Sequence, residues 1–224
     1  MSNPFRANWR ILVLPLLALV LLDGCATKTQ TGALIGAGGG AVVGGVVGKL
    51  AGNTANGAII GAIVGGVAGT VIGSQMDRQA REISQNIPGA TVERVGEGIT
   101  VTFASGMLYG YDSDVLSDQA QRNLRSLAGS LSKYPGTEIL IVGHTDQTGS
   151  SGYNQELSQR RATSAASYLI SQNVSAGRVN TRGRGETEPA ASNETESGRS
   201  MNRRVAVAIY ASEAYRAQAA QSGN

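Results

Sequence analysis

Two opposite charges and one amide stand out between residues 143 and 161. The loop Gly143-His144-Thr145-Asp146-Gln147-Thr148-Gly149 carries a carboxylate at Asp146. Downstream, Asn154, Leu157 and Arg161 fall at i, i+3 and i+7, so a helix there puts all three on one face. A carboxylate and a guanidinium brought together in this way are either an ordinary structural ion pair or the two poles of a binding site. The residues alone leave both open. His144 is the sole histidine. No Ser or Cys partner motif surrounds it, so a loop-structuring hydrogen bond is its expected role, not catalysis. One Cys and one His make no zinc or haem cluster. No paired-carboxylate or activated-nucleophile signal supports hydrolysis. The chain reads as a non-enzymatic protein without cofactor or metal.

The elements that must position these groups are legible in the apolar pattern. A strand at Glu138 to Val142 runs into the Asp146 loop. The helix that follows, from about Asn154 to Gln172, carries Leu157, Ala165, Tyr168 and Leu169 inward. Before the strand, Ala120, Leu124, Leu127, Ala128 and Leu131 form one helical stripe, with Ser117 as N-cap and Pro135-Gly136 as stop. Thr91 to Val95 and Ile99 to Phe103 flank Gly96-Glu97-Gly98 and predict a hairpin. Val179 to Arg182, and Val205, Val207 and Ile209, predict two more strands. The class is α+β, a mixed sheet with helices packed on it. The expected compact domain is 98–212, preceded by a connector, 74–97, whose helix shows the stripe Met76, Ala80, Ile83 and Ile87. Residues 213–224 read as a polar tail or frayed helix.

The first third of the chain is a different material. Of the 31 glycines, Gly32, Gly36, Gly40, Gly44 and Gly48 recur every four residues, and Gly57, Gly61, Gly65, Gly69 and Gly73 repeat the pattern 25 residues later. Such spacing lets helices approach closely. Each run would be ~27 Å long as a helix. A membrane-embedded helical hairpin over 32–73 is the expectation, with a surface-packed or oligomeric hairpin or a Gly-rich spacer as alternatives. Ahead of it, Arg6 and Arg10 precede the apolar run Ile11 to Leu22, a secretory signal over 1–24. The run ends Leu22-Asp23-Gly24-Cys25, which resembles the bacterial lipobox apart from Asp23. That resemblance implies acylation of Cys25 and a tether over 25–31; an ordinary signal is the alternative. Ala26 after the Cys favours the outer membrane, with the inner membrane as alternative. The net charge of +3 and pI near 9.2 come with no basic stripe, which speaks against nucleic acid as a partner.

Several separated motifs carry a family resemblance over roughly 98–212. Gly143-His144-Thr145-Asp146, Tyr153-Asn154 with Leu157-Ser158, Arg161-Ala162, Pro189 with Ser192-Asn193, Gly198-Arg199 and Asn202-Arg203-Arg204-Val205 are similar to the OmpA-like C-terminal domain. The whole arrangement resembles YiaD-type lipoproteins. The family implies a βαβαββ mixed sheet and non-covalent binding of peptidoglycan through the diaminopimelate of its stem peptide. Diaminopimelate ends in an ammonium and a carboxylate on one carbon. Asp146 suits the ammonium and Arg161 the carboxylate. Asn154, near the helix start, is expected to hydrogen-bond the ligand, and Leu157 to touch its aliphatic stem. By family pattern Asp112, Thr148 and Arg204 complete the pocket, although Arg203 and Arg204 also suit an edge-strand guard. Tyr109 and Tyr111 stand where Phe is commoner, and Arg184 where an aromatic usually stands. The implied protein is a lipid-anchored envelope lipoprotein tying the outer membrane to the cell wall. The alternative is a glycine-zipper homo-oligomer or pore that the domain only positions.

Overall fold

The computed structural model describes residues 53–222. The signal over 1–24, Cys25, the tether 25–31 and the first glycine run lie outside the described residues. Five strands form one sheet in the order β1-β2-β5-β3-β4. They are β1 (Thr91–Val95), β2 (Gly98–Ala104), β3 (Thr137–Gly143), β4 (Val179–Gly183) and β5 (Arg204–Ala211). β3 and β4 are parallel, and every other pairing is antiparallel. The hairpin β1–β2 turns at Gly96, whose φ of 53° is in the left-handed region that favours glycine. From β2 onward the order is the expected βαβαββ.

The helices are α1 (Thr54–Gly61), α2 (Gly66–Asn86), α3 (Ser105–Leu108), α4 (Asp118–Lys133), α5 (Ser151–Ser171), α6 (Glu196–Asn202) and α7 (Glu213–Ser222). Ser117 caps α4 by accepting from the Ala120 N–H, and Ser150 caps α5 by accepting from the Tyr153 N–H. The alternation in β5 divides the core. Val205, Val207 and Ile209 join Ile139 and Ile141 in packing against the stripes of α2, α4 and α5. Ala206 and Ala208, with Leu140 and Val142, pack on the opposite face under Ala55 and Ile59 of α1.

The second glycine run departs from its expectation. It is not one continuous helix, and among the described residues no helix is long and apolar enough to cross a membrane. Two successive glycines, Gly65 and Gly66, take φ of 72° and 62° where the chain passes from α1 on one sheet face to α2 on the other. The Glu97 carboxylate receives the Val64 and Gly65 N–H groups at 2.9 and 2.8 Å. A Cβ at Gly69 would stand 2.2 Å from the same carboxylate, so this glycine admits Glu97 against α2. The run is a strap folded onto the domain, because its Ile59 and Ile72 find apolar partners on both faces of the sheet.

Two boundaries move for the same reason. The compact unit does not begin at 98: α2 carries the Met76, Ala80 and Ile83 stripe, with Ile87 as its C-cap, all of it buried. Nor is 213–222 a polar tail. It forms α7, which buries Ala219 and bonds the Tyr215 hydroxyl to Gln75 of α2 at 2.7 Å. Truncating fully buried Ile72 to Ala is therefore expected to lower domain stability by about 2–5 kcal/mol. Chemical denaturation of the full-length protein measures this; a change below about 0.5 kcal/mol would mean that α2 is not part of the core.

Candidate functional site

The groups named from sequence gather where β3 ends. Gly143 is the last residue of β3, and a Cβ there would meet the Ser158 carbonyl oxygen at 2.1 Å. This close approach draws α5 against the end of the sheet, so the Asp146 loop lies over the first turns of α5. The Asn154 amide donates to the Asp146 carbonyl at 3.2 Å and to the Glu186 carboxylate at 2.6 Å. Both its N–H donors are thus occupied by protein, and only its Oδ1 remains for a ligand. Asn154 acts first as the clamp between loop and helix. Leu157, buried one turn further on, belongs to neither apolar core cluster.

Asp146 and Arg161 are both buried and are not paired with each other. The Asp146 carboxylate accepts from the Thr148 N–H at 2.8 Å and from Arg203 at 2.6 Å. Burial pushes this carboxyl up, and the bonds from Arg203 and Thr148 more than reverse that, holding it below its ordinary value. Arg203 in turn reaches Glu196 at 2.7 Å.

Arg161 is held differently. Its Nε donates to the Ser113 carbonyl at 2.9 Å, and its guanidinium lies 5.4 Å from the Tyr109 ring centroid. The Tyr109 hydroxyl donates to the Arg161 carbonyl at 2.7 Å. Burial lowers the Arg161 pKa, opposed by Tyr109, Asp112, Tyr153 and Asp114; a guanidinium remains charged regardless. Its two terminal nitrogens have no protein acceptor and no carboxylate within ion-pair distance among the described residues. This is a buried cation with open donors.

Asp112 sits in the loop that carries Ser113, at φ 50°, and accepts from the Tyr153 hydroxyl. Asp112, Thr148, Asn154, Leu157 and Arg161 therefore share one neighbourhood with Asp146. Arg204 does not. It opens β5 on the α1 face, where it donates to the Asn202 and Glu188 carbonyls at 3.3 and 2.9 Å. β5 is also a central strand, not an edge, so neither arginine guards an open edge. The arginine at the site is Arg203, and the sequence contained the signal: it has the parity of Val205, which faces α5.

His144 makes no loop-structuring bond through its ring. Both ring nitrogens are sealed and unpartnered, with Nδ1 3.9 Å from Glu188. Burial, with Arg204 and Arg184 nearby, pushes its pKa down to about 3, so the ring is neutral. Only its backbone N–H bonds, to the Arg204 carbonyl at 2.9 Å. Among the described residues no cluster of His, Cys, Asp or Glu could hold a metal ion.

Comparison with known proteins places these features in context. The OmpA family model matches residues 108–203, and the YMGG-like Gly-zipper model matches residues 6–77. Probable lipoprotein YiaD of Escherichia coli (strain K12) is 38% identical over 121 residues, 54% of this chain. The chain spans 55% of that relative's length. Outer-membrane lipoprotein YfiB of Pseudomonas aeruginosa is 37% identical over 113 residues, 50% of this chain and 67% of the relative. Among solved structures, the cell wall anchor of the T6SS from Pseudomonas aeruginosa superposes with a TM-score of 0.56 at 33% identity. That match covers 61% of this chain and 99% of the other.

The lowered Asp146 pKa has a consequence for stability. A depressed carboxyl stabilises the fold above its unfolded value of ~3.9, and that contribution is lost as pH falls through the lowered folded value. Asp146→Asn is expected to cost about 1–3 kcal/mol at pH 7 and to converge on the wild type as pH drops well below 4. Thermal melts at pH 7 and pH 3 report this; an equal deficit at both would contradict the ionic role.

Proposed function

The chain belongs to the OmpA family, and we propose that it is a non-enzymatic envelope lipoprotein that binds peptidoglycan and so ties a membrane to the cell wall. The observation that carries this reading is Arg161. A desolvated guanidinium with free terminal donors, held by Tyr109 beneath and the Ser113 carbonyl beside it, suits a carboxylate ligand. Asp146, in the loop clamped to the start of α5 by Asn154, supplies the opposite pole, and its remaining lone pairs suit an ammonium. A diaminopimelate end carries both groups. Asp112, Thr148, Asn154 and Leu157 frame the same space, with Arg203 sharing Asp146. The ligand's ammonium must then be accommodated beside Arg203, which has Glu196 as a second partner.

The family matches support this reading. The similar lipoprotein YfiB is named an outer-membrane protein, and the similar solved structure a cell wall anchor. The proposed anchor is the acylated Cys25, and the proposed location the outer membrane facing the periplasm. A homo-oligomer through the first glycine run is compatible with this arrangement. A pore built from both glycine runs is not favoured, because the second run is occupied in covering the sheet.

Full-length protein is expected to co-sediment with peptidoglycan sacculi. Arg161→Ala and Asp146→Ala should each weaken binding roughly thirtyfold or more, since removing one partner of a desolvated charge contact typically costs about 2–5 kcal/mol. Unchanged sedimentation in both variants, with intact thermal unfolding, would sink the proposal. In cells, palmitate label in the outer-membrane fraction should disappear on Cys25→Ala; label that persists in that variant would remove Cys25 as the anchor.

A further inference from the structure

On the sheet face away from α5 lies a cleft of about 430 Å³. α1 covers only part of this face. Beyond its N-cap Asn53, the floor is formed by β1 and β2, and the walls by the loop after Glu188 and by α6. Arg204 lines the cleft at 7% exposure, together with Glu93, Thr102, Ser200 and the half-exposed Met201.

The charged residues lining the cleft are Arg204 and Glu93; beside Arg204, Arg184 and Glu188 form an ion pair of their own, and His144 is neutral. Glu188 is already engaged: its carboxylate accepts from the Thr54 N–H at 3.1 Å and the Thr54 hydroxyl, and Arg184 lies 3.3 Å away. No carboxylate lies within 4.0 Å of the Arg204 guanidinium among the described residues, and its protein acceptors are two carbonyls. Among the described residues its Nε–H has no acceptor, and it is not sealed from solvent. A buried cation with unmatched donors facing an open cleft calls for an anion. Across the cleft, exposed Glu93 has no ion-pair partner among the described residues. That second charge disfavours a dianion such as phosphate and favours a ligand with N–H groups beside its acid. The volume is several times that of a lone carboxylate, and the Thr102 and Ser200 hydroxyls suit amides.

We propose that this cleft is a second binding site, separate from the Asp146–Arg161 group, that takes the free carboxylate end of a short peptide. Arg204 receives the carboxylate, and Glu93 faces an amide or ammonium of the peptide. The site stands independently of Asp146 and Arg161, which lie at the other face.

Full-length protein in detergent micelles, labelled with carbon-13 at the methionine methyl groups, tests this by NMR. Met201 reports the cleft rim, and fully buried Met76 reports the fold. N-acetyl-alanyl-alanine should shift the Met201 signal saturably, and its C-terminal amide should bind roughly tenfold more weakly or worse. Inorganic phosphate should give no saturable shift. Ala190→Trp, which fills the cleft without removing the buried charge, should abolish the response while Met76 stays in place. Asp146→Ala should leave it intact. No saturable shift with the dipeptide, an equal response to its amide, phosphate binding as tightly as the dipeptide, or a response that survives Ala190→Trp would each overturn the assignment. Should Arg204→Gln fold, as judged by Met76, it should weaken dipeptide binding at least tenfold; unchanged affinity would overturn it too.

Discussion

The burial of β3 and β5 on both faces is the constraint from which the rest follows. Every residue of β5 except Tyr210 is buried, and those of β3 from Ile139 to Gly143 are buried too. A sheet so covered has no room for an unpaired charge along its length, because each would lose its hydration without compensation. Charged groups are therefore displaced to where the strands end. The end of β3 and the start of β5 are adjacent, since the strands are antiparallel and pair Gly143 with Val205. Asp146 on one side of that pairing and Arg203 and Arg204 on the other are the polar consequence of an apolar centre.

Two arginines adjacent in sequence are sent to opposite faces by the same geometry. Arg203 meets Asp146 near α5, and Arg204 meets the Glu188 carbonyl beneath α1. The site at α5 is then defined by what is satisfied and what is not. Asp146 is neutralised by Arg203, Asn154 is spent on the loop, and Arg161 is the group left with open donors. Tyr109 contributes twice, by its ring against the guanidinium and by its hydroxyl on the helix backbone. It positions Arg161 without reducing the positive charge offered to a ligand.

The second face is closed by the segment least expected to close it. The glycines of the second run permit the left-handed backbone at Gly65-Gly66 and a close approach of Glu97 at Gly69. The strap is fixed at its start by Thr54 on Glu188 and at its corner by Val64 and Gly65 on Glu97. In both places a carboxylate satisfies N–H groups at a helix start that have no partner within the helix. The second glycine run is thereby part of the folded domain.

Local signals in the sequence determined the α+β class, the hairpin, α4 with its Ser117 cap, α5, and the placing of Asn154, Leu157 and Arg161 on one helix face after the Asp146 loop. These depend on periodicity and on spacing within one element or one loop, and such signals survive without knowledge of distant partners. The family resemblance added Asp112 and Thr148, which the fold brings beside them. Four things were decided only by the tertiary structure: the folding of the second glycine run onto the sheet, the docking of α7, the engagement of Asp146 by Arg203, and the removal of Arg204 to the other face. Each concerns a contact between segments far apart in the chain. An amphipathic or glycine-rich stripe states that a face will be buried, not against what, and a charge states that it needs a partner, not which one. Lipid and sheet are equally apolar to Ile59 and Ile72; only the packed sheet, which offers Ile59 one face and Ile72 the other, selects between them.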